Sequence, residues 1–351
     1  MRSVFFGTPD FSLPSLEVCH SESELLAVIS QPDRPRGRGK NLQPCPVKAR
    51  ALEIEKTAFS PVNLKKSNDE AQELYDHLVS LNPDIFVVIA YGNLLPQRFL
   101  DIPKLGAVNI HASLLPKWRG AAPIQRSIEN GDSFTGVCLQ KMLLKLDAGD
   151  VLMEKHCDIA DRGAIDLTDE LSQLGADLLR DFILDIKNSN ATELKGEKQS
   201  ETLVTWAPKI EREEALWSPS WSARETIFRS RAFQGWPGVK SKLVQNKADA
   251  SKKELCAPFK IIDAEFARAN DLPEIFKNSE SDAASGSASN LKKPGTLAID
   301  GKSVFLHCAD EWVQLKIVQV PGKAKQDAFS ALQNFFHKAG HDSLALVEHR
   351  A

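Results

Sequence analysis

The fold of this chain is decided by the run Asp84-Ile85-Phe86-Val87-Val88-Ile89. An unbroken apolar run of this length is typical of a strand that is buried on both faces of a parallel sheet. Before it, β-rich runs at residues 4–6 and 25–29 alternate with helical patterns, and the alternation continues after it. Strands that alternate with helices predict an α/β fold, with a mostly parallel sheet that is covered by helices on both faces.

The chain is long enough for two domains. It has 351 residues, whereas one hydrophobic core usually serves no more than about 250 residues. We expect an α/β domain over residues 1–189, a polar linker over 190–207 and a smaller, mostly β domain over 208–351. The serine-rich stretch 278–290 is predicted to be a disordered insertion because of its low-complexity composition.

Composition restricts the class of protein. The sequence is 42% hydrophobic and 26% charged, which fits a soluble globular protein and excludes a fibrous one. Its six cysteines lack C-x-x-C spacing, so we expect neither a zinc site nor a disulfide framework. Since no signal segment or membrane span is apparent, a cytoplasmic protein without a membrane partner is expected. A net charge of -3 neither predicts nor excludes a nucleic-acid partner.

Three polar side chains form the candidate catalytic group. Asn109 and His111 lie two residues apart on a predicted strand, so both project from the same side of the sheet near its carboxyl end. Open α/β sheets bind their ligands at that edge. The turn Asp147-Ala148-Gly149-Asp150 follows another predicted strand and can bring a carboxylate to the same edge.

An amide donor, an imidazole and a carboxylate suit acyl transfer to an amine. Attack on a formyl carbonyl creates an oxyanion and a positively charged nitrogen that must lose a proton. From the residues alone, an alternative stays open in which Asn109 and His111 merely cap the end of a strand. The first turn, Gly7-Thr8-Pro9-Asp10-Phe11, lacks G-x-G-x-x-G, which argues against NAD or another dinucleotide.

The sequence around these residues resembles a known family. The run from Asn109 to Arg126 and the later Asp147-Ala148-Gly149-Asp150 closely resemble the 10-formyltetrahydrofolate-dependent formyltransferases. Matching segments recur from the N-terminus to Trp236-Pro237-Gly238. The resemblance implies a Rossmann-like sheet followed by an OB-like β-barrel domain, and a catalytic role for Asn109, His111 and Asp147. It also implies 10-formyltetrahydrofolate as the formyl donor, without a metal.

The resemblance further implies two sets of ligand contacts. The folate contacts are expected at Ser113, Leu114, Leu115 and Pro116 and in the loop Tyr91, Gly92, Asn93, Leu94 and Leu95. The tRNA contacts are expected at the cations Arg34, Arg36, Arg38 and Lys40. These cations lie in a loop whose Pro and Gly residues argue against regular structure, which leaves them free to meet phosphates. The alternative is a merely solvated charged loop.

The resemblance implies that the formyl acceptor is the α-amino group of methionine on initiator tRNA, which would give the protein a role in translation initiation. The arginine-rich loop and the second domain favour this RNA acceptor over a small amine such as an amino-sugar nucleotide or glycinamide ribonucleotide. A non-catalytic RNA-binding relative is the third alternative, and the intact set Asn109, His111 and Asp147 speaks against it. We expect the protein to act as a monomer.

Overall fold

The computed structural model describes most of the chain: residues 1–36, 41–65, 68–189, 191–246, 253–268, 272, 293–339 and 344–347. It divides into two compact units. The first comprises Met1–Ile124, Ser133–Ala160 and Asp166–Lys209; the second comprises Gln125–Asp132, Asp161–Ile165 and Ile210–Ala351. The domain bounds given above stay predictions, and the serine-rich stretch 278–290 lies outside the described residues.

A mixed sheet forms the centre of the first unit. The strands of this unit are β1 Arg2–Gly7, β2 Glu24–Ile29, β3 Arg34–Arg36, β4 Asn41–Gln43, β5 Ala58–Phe59, β6 Ile85–Ile89, β7 Ala107–His111, β8 Arg119–Gly120, β9 Phe134–Lys141, β10 Val151–Asp158 and β11 Trp206–Ala207. Seven of them form one sheet in the order β10-β9-β7-β6-β1-β2-β5. Five neighbouring strands, β7, β6, β1, β2 and β5, are parallel to one another, whereas β9 is antiparallel to both of its neighbours. The predicted α/β fold with a mostly parallel sheet is therefore confirmed.

Six helices connect these strands: α1 Leu13–Glu22, α2 Pro46–Glu53, α3 Asp69–Leu81, α4 Gln97–Leu100, α5 Pro123–Asn130 and α6 Ala164–Ser189. Helix α3 shows how local residues set the two ends of a helix. The Asn68 side chain accepts a hydrogen bond from the Glu70 backbone N–H at 3.0 Å, and Asn82 ends the helix with a left-handed φ of 44°. Such caps satisfy backbone groups that have no partner inside the helix.

The core of the first unit lies on β1 and β6. All five residues of β6 are buried, as the unbroken apolar run predicts. The rings of Phe6 and Phe86 pack with centroids 5.1 Å apart, and Tyr91 meets Phe6 edge to face at 5.4 Å. This packing fixes the strand ends that carry the polar side chains described below.

The second unit is built mainly from antiparallel strands. They are β12 Val239–Asn246, β13 Lys253–Phe266, β14 Leu297–Asp300, β15 Ser303–His307, β16 Trp312–Gln319, β17 Gln326–Asp327 and β18 Leu344–Val347, with helices α7 Ala223–Ala232 and α8 Ala328–Ala339. The sheet runs in the order β14-β15-β16-β13-β12-β18, with β17 beside β16. A bridge between Thr296 and Ala345 joins its two ends and nearly closes it into a barrel, which confirms the smaller β-barrel-like fold.

The arginine-rich loop differs from its prediction. Residues Arg34–Arg36 and Asn41–Gln43 pair as a two-stranded antiparallel ribbon, so the prediction of irregular backbone is wrong at these positions. A two-stranded ribbon leaves one edge of each strand without a ladder partner, and a proline such as Pro35 is tolerated on such an edge.

Within the described part of the chain, no helix is both long and apolar enough to cross a membrane.

The core packing gives a stability prediction. We expect Phe86→Ala to lower the free energy of unfolding by about 3–5 kcal/mol, because it removes a fully buried ring from the Phe6 cluster. Urea denaturation followed by circular dichroism measures the change. The matched control is Leu52→Ala in α2, where the side chain is 56% exposed and a change within about 0.5 kcal/mol is expected. Equal losses in the two variants would contradict this account of the core.

Candidate active site

Polar side chains gather around the carboxyl end of β7. Asn109 and His111 are alternate residues of this strand, so they face the same side of the sheet. Asn109 lies opposite Val88 of β6 and Gln140 of β9. Asn109 is part-exposed and His111 is buried, with 6% of its surface accessible. The strand therefore presents an accessible amide beside a sheltered imidazole.

The His111 ring is held in one orientation. Its Nε2 atom lies 2.8 Å from the carbonyl oxygen of Trp118. Because a carbonyl only accepts, this contact assigns the proton of the neutral ring to Nε2 and leaves Nδ1 as its acceptor atom. Nδ1 lies 3.7 Å from Oδ1 of Asp147, within the distance of an ion pair. The structure thus brings together the imidazole and the carboxylate of the candidate group.

The Asp147 carboxylate is fixed at both oxygens. Oδ2 accepts a hydrogen bond from the backbone N–H of Gly120 at 2.9 Å, and Oδ1 accepts one from Nε2 of Gln140 at 3.0 Å. Asp147 itself has a φ of 49°, in the left-handed region that non-glycine residues seldom adopt. Such a conformation persists when its surroundings hold it in place.

The loop that carries Asp147 lies between β9 and β10, as the sequence predicts for a turn between two β-like runs. Strand β9 runs antiparallel to β7, and its last residue, Lys141, lies opposite Val108. The loop therefore begins away from the carboxyl end of β7. After Lys141 it folds back so that Asp147 comes beside His111.

Gly120 can occupy its position only because it lacks a side chain. It has a φ of 127°, and a Cβ atom there would lie 2.6 Å from the carbonyl oxygen of Ala207. The close approach comes from the pairing of β8 with β11. Since this pairing sets the position of Gly120, it also sets the N–H that holds Asp147.

Gln140 is a site residue that the sequence reasoning missed. It is 2% exposed, and its Oε1 atom is buried without a hydrogen-bond partner among the described residues. An unpaired buried acceptor is costly, so this oxygen suits an N–H donor that a ligand or water supplies. The one available signal was a polar residue at the end of the apolar run Val137-Cys138-Leu139.

The loop after β7 is shaped by internal contacts. Ser113 is buried, and its hydroxyl donates to the carbonyl oxygen of Lys117 at 2.7 Å. The Leu115 backbone N–H lies 3.3 Å from Sγ of Cys138. Leu115 and Pro116 line a surface groove of about 620 Å³ together with Val151, Leu152, Met153, Glu154 and residues 195–200. Of the expected folate contacts in this loop, Leu115 and Pro116 thus line the groove although Leu115 is largely buried, Leu114 is part-exposed, and the Ser113 hydroxyl is already bonded.

A second cluster lies where β1, β2 and β6 end. The Thr8 hydroxyl donates to the carbonyl oxygen of Tyr91 at 2.9 Å and accepts from the Gln31 backbone N–H at 3.3 Å. Burial raises the pKa of Tyr91 to about 12, so its phenol is neutral near pH 7. Gly92 has a φ of 87°, Leu95 is buried and Leu94 is 76% exposed.

This second cluster contains an unsatisfied donor. Nε2 of Gln31 is buried and has no hydrogen-bond partner in the described part of the chain, whereas the Asn93 side chain lies beside the Tyr91 phenol and interacts with it. Buried amide groups of this kind are normally paired, so they suit the nitrogen or oxygen acceptors of a flat heterocycle. Asn93 is among the expected ligand contacts, whereas Gln31 is a residue that the sequence reasoning missed.

The expected RNA-facing cations are only partly described. Arg34 is exposed on β3, with Nη2 3.5 Å from Oε1 of Gln31. Arg36 also belongs to β3, but its side chain lies outside the described residues, as do Arg38 and Lys40. Over the described ranges, no group of three or more His, Cys, Asp or Glu side chains is arranged to hold a metal ion.

Comparison with known proteins identifies related sequences along the whole chain. The family model described as Formyl transferase matches residues 1–181, and the model described as Formyl transferase, C-terminal domain, matches residues 209–335. The methionyl-tRNA formyltransferase of Sulfurihydrogenibium sp. is 36% identical over 97% of this chain and 99% of its own length. That of Methylococcus capsulatus is 44% identical over 69% of this chain and 77% of its own length.

Solved structures share the fold at low sequence identity. WlaRD, a sugar 3N-formyl transferase solved in the presence of dTDP and 5-N-formyl-THF, matches with a TM-score of 0.59 at 15% identity, over 92% of this chain and 99% of its own. HypX from Aquifex aeolicus, solved in complex with tetrahydrofolic acid, matches with a TM-score of 0.54 at 16% identity, over 97% of this chain and 48% of its own. At such identities the likeness shows the fold alone.

The thiol beside the site gives a prediction about reactivity. Burial raises the pKa of Cys138 to about 12, so the nucleophilic thiolate appears only as the pH approaches that value. We expect iodoacetamide at about pH 8 to alkylate the part-exposed Cys45 and to leave Cys138 unmodified in the folded protein. Peptide mapping by mass spectrometry measures both sites, with the urea-unfolded protein as the control. Labelling of Cys138 as fast as Cys45 would show that it is accessible and ionised.

Proposed function

This chain belongs to the formyl transferase family, and on that premise we propose that it transfers the formyl group of 10-formyltetrahydrofolate to the α-amino group of methionine on initiator tRNA. The observation that carries the proposal is the match to a methionyl-tRNA formyltransferase over 97% of this chain and 99% of the relative. Because the match spans both units, it covers the residues around Asn109 and also the barrel-like sheet.

The three polar side chains have distinct roles in the proposed reaction. The amine nitrogen attacks the formyl carbon, and the carbonyl oxygen gains negative charge. The part-exposed Asn109 amide donates a hydrogen bond to that oxygen and stabilises it. The bond between the formyl carbon and N10 of the folate then breaks, N10 takes a proton, and the formylated amine is released.

The proton that the amine loses passes to His111, which then gives it to N10 of the folate as the bond to the formyl carbon breaks. Nδ1 of His111 is the free acceptor of the ring, since Nε2 is committed to the Trp118 carbonyl. The Asp147 carboxylate, 3.7 Å from Nδ1, stabilises the imidazolium that forms. Because Gly120 and Gln140 hold both carboxylate oxygens, little reorganisation is needed when this charge appears.

The formyl donor, 10-formyltetrahydrofolate, is proposed to bind at the second cluster. The unpaired amide donor of Gln31 and the neighbouring Asn93 amide suit the acceptor atoms of the pteridine ring, and Leu95 and Tyr91 supply apolar contact. The chemistry of 10-formyltetrahydrofolate is to carry an activated formyl group on nitrogen. The residues present fit such a donor, which is consumed as a co-substrate.

The tRNA has two candidate contact surfaces. The cations Arg34, Arg36, Arg38 and Lys40 are proposed to bind phosphates of the acceptor arm. A barrel-like sheet such as that of the second unit is a common platform for oligonucleotides. Since initiator tRNA is charged and used in the cytoplasm, the protein is proposed to act there. One chain supplies Asn109, His111 and Asp147, so a monomer is proposed to suffice.

A formylation assay tests the proposal. Purified protein is incubated with methionyl initiator tRNA, with and without 10-formyltetrahydrofolate, and the product is identified by mass spectrometry after hydrolysis of the ester. An amino-sugar nucleotide and glycinamide ribonucleotide are assayed in parallel. Donor-dependent formyl-methionyl-tRNA supports the proposal, and a preference for either small amine overturns the RNA assignment.

The role of Asn109 is tested by removing its amide. We expect Asn109→Ala to lower kcat by about 10²-fold or more, the usual loss for one donor to an oxyanion, while tRNA binding persists. Steady-state kinetics and a filter-binding assay measure the two quantities. Asn130→Ala, which removes an exposed amide that donates to Asp132, is the control and should keep wild-type turnover. Unchanged kcat in Asn109→Ala would remove this residue from the mechanism.

The cations of the arginine-rich loop are tested by the salt dependence of tRNA binding. In the double variant Arg34→Ala/Arg38→Ala we expect weaker tRNA binding. The slope of the logarithm of the tRNA association constant against the logarithm of salt concentration should become less steep by about 2, because each lost phosphate contact reduces its steepness by about 1. Folate affinity should stay unchanged. Lys104→Ala, at a lysine that pairs with Asp84, is the control. Lower folate affinity with an unchanged salt slope would contradict the assignment of these cations.

A further inference from the structure

A segment predicted as linker contacts the catalytic loop. Residues 197–207 fall within the range 190–207 yet belong to the first unit. Glu197 exchanges two backbone hydrogen bonds with Val151, at 2.9 and 2.8 Å, directly after the loop that carries Asp147. Farther along, Trp206 and Ala207 pair with Arg119 and Gly120. The segment is therefore tied to the chain on both sides of the Asp147 contact.

Gln199 lies within this segment, and both the nitrogen and the oxygen of its side-chain amide form hydrogen bonds. Nε2 donates to the carbonyl oxygen of Asp147 at 2.9 Å and to that of Gly149 at 2.7 Å. Oε1 accepts from Nε and Nη2 of Arg119 at 3.0 and 2.9 Å. Both N–H groups and both acceptor positions of the amide are thus occupied, which leaves it one orientation.

Arg119 fixes which way the amide faces. Its side chain is fully buried, and a guanidinium only donates, so the atom of Gln199 that faces it must be the oxygen. Nη2 of Arg119 also contacts Glu201 at 3.2 Å, and Lys145 contacts the other oxygen of Glu201 at 3.0 Å. Hydrogen bonds from Lys145 and Arg119 hold the pKa of the Glu201 carboxyl below its usual value.

The loop that Gln199 holds has little conformational freedom of its own. Asp147 is in the left-handed region, and a Cβ on Gly149 would lie 1.6 Å from the carbonyl oxygen of Lys141. Gln199 bonds the two carbonyls on either side of Ala148, and the Gly120 N–H bonds the carboxylate itself. Consecutive residues of β8 thereby hold Asp147 at both ends, Gly120 directly and Arg119 through Gln199.

We infer that Gln199 is a positioning residue for catalysis, which fixes the Asp147 carboxylate against His111 by holding the backbone of its loop. The inference rests on the proposed function, in which Asp147 stabilises the His111 imidazolium. Gln199 acts through backbone carbonyls, and its whole side-chain amide is bonded to protein atoms, so it has no free polar group to offer either substrate. Its loss should therefore affect the rate of the chemical step more than the binding of either substrate.

The test uses Gln199→Glu, which keeps the acceptor for Arg119 but replaces the donor with an oxygen that repels two carbonyls. We expect kcat to fall by about 10²-fold, the scale for a group misplaced by about 1 Å, while KM for both substrates stays within about twofold. The melting temperature should hold, since Arg119 gains a carboxylate partner. The control is Gln173→Glu, at an exposed glutamine of α6. If Gln199→Glu does not fold, Gln199→Asn replaces it, with the same expected split between kcat and KM.

Two outcomes overturn the inference: wild-type kcat in the variant, or a loss that appears as a higher KM or a parallel fall in melting temperature. Failure of the proposed function is seen separately, as an inactive wild-type enzyme on methionyl initiator tRNA. In that case crystal structures of the wild type and Gln199→Glu decide the inference. Displacement of the Asp147 carboxylate from the Gly120 N–H supports it, and an unmoved carboxylate overturns it.

Discussion

The contact between the Gly120 N–H and the Asp147 carboxylate is the constraint on which the rest of the site depends. It joins the loop after β9 to the short pair of β8 and β11, neither of which belongs to the main sheet. Only a residue without a side chain fits there, because the Ala207 carbonyl lies too close for a Cβ. The distance between imidazole and carboxylate is therefore set by backbone packing.

The candidate site combines residues on a central strand with a residue on a loop that hydrogen bonds hold in place. Asn109 and His111 stand on a strand in the middle of a sheet, where neighbouring strands fix the backbone on both sides. Asp147 lies on a loop, and hydrogen bonds from Gln140, Gly120 and Gln199 fix its position. Side chains that stabilise charge in a transition state act best when their orientation is fixed before the reaction. In this site the hydrogen bonds to Asp147 fix the orientation of its carboxylate.

The sequence made the strand residues predictable and left the supporting bonds hidden. The apolar run of β6 and the two-residue spacing of Asn109 and His111 are local patterns with direct structural meaning. The antiparallel placement of β9 beside β7 is a long-range pairing, so no local pattern revealed that Gln140 faces Asn109. Gln199 was hidden for the same reason, within a polar stretch that has the composition of a linker.

The loop that carries Asp147 also bears on how the enzyme can evolve. Its base is closed by the hydrogen bond from the Lys141 N–H to the Asp150 carbonyl, and Gln199 and Gly120 hold its far end. Leu143, Leu144 and Leu146 on the same loop are about half exposed. Exchange of these three side chains is therefore expected to be tolerated, whereas an inserted or deleted residue is expected to shift Asp147 away from the bonds that hold it.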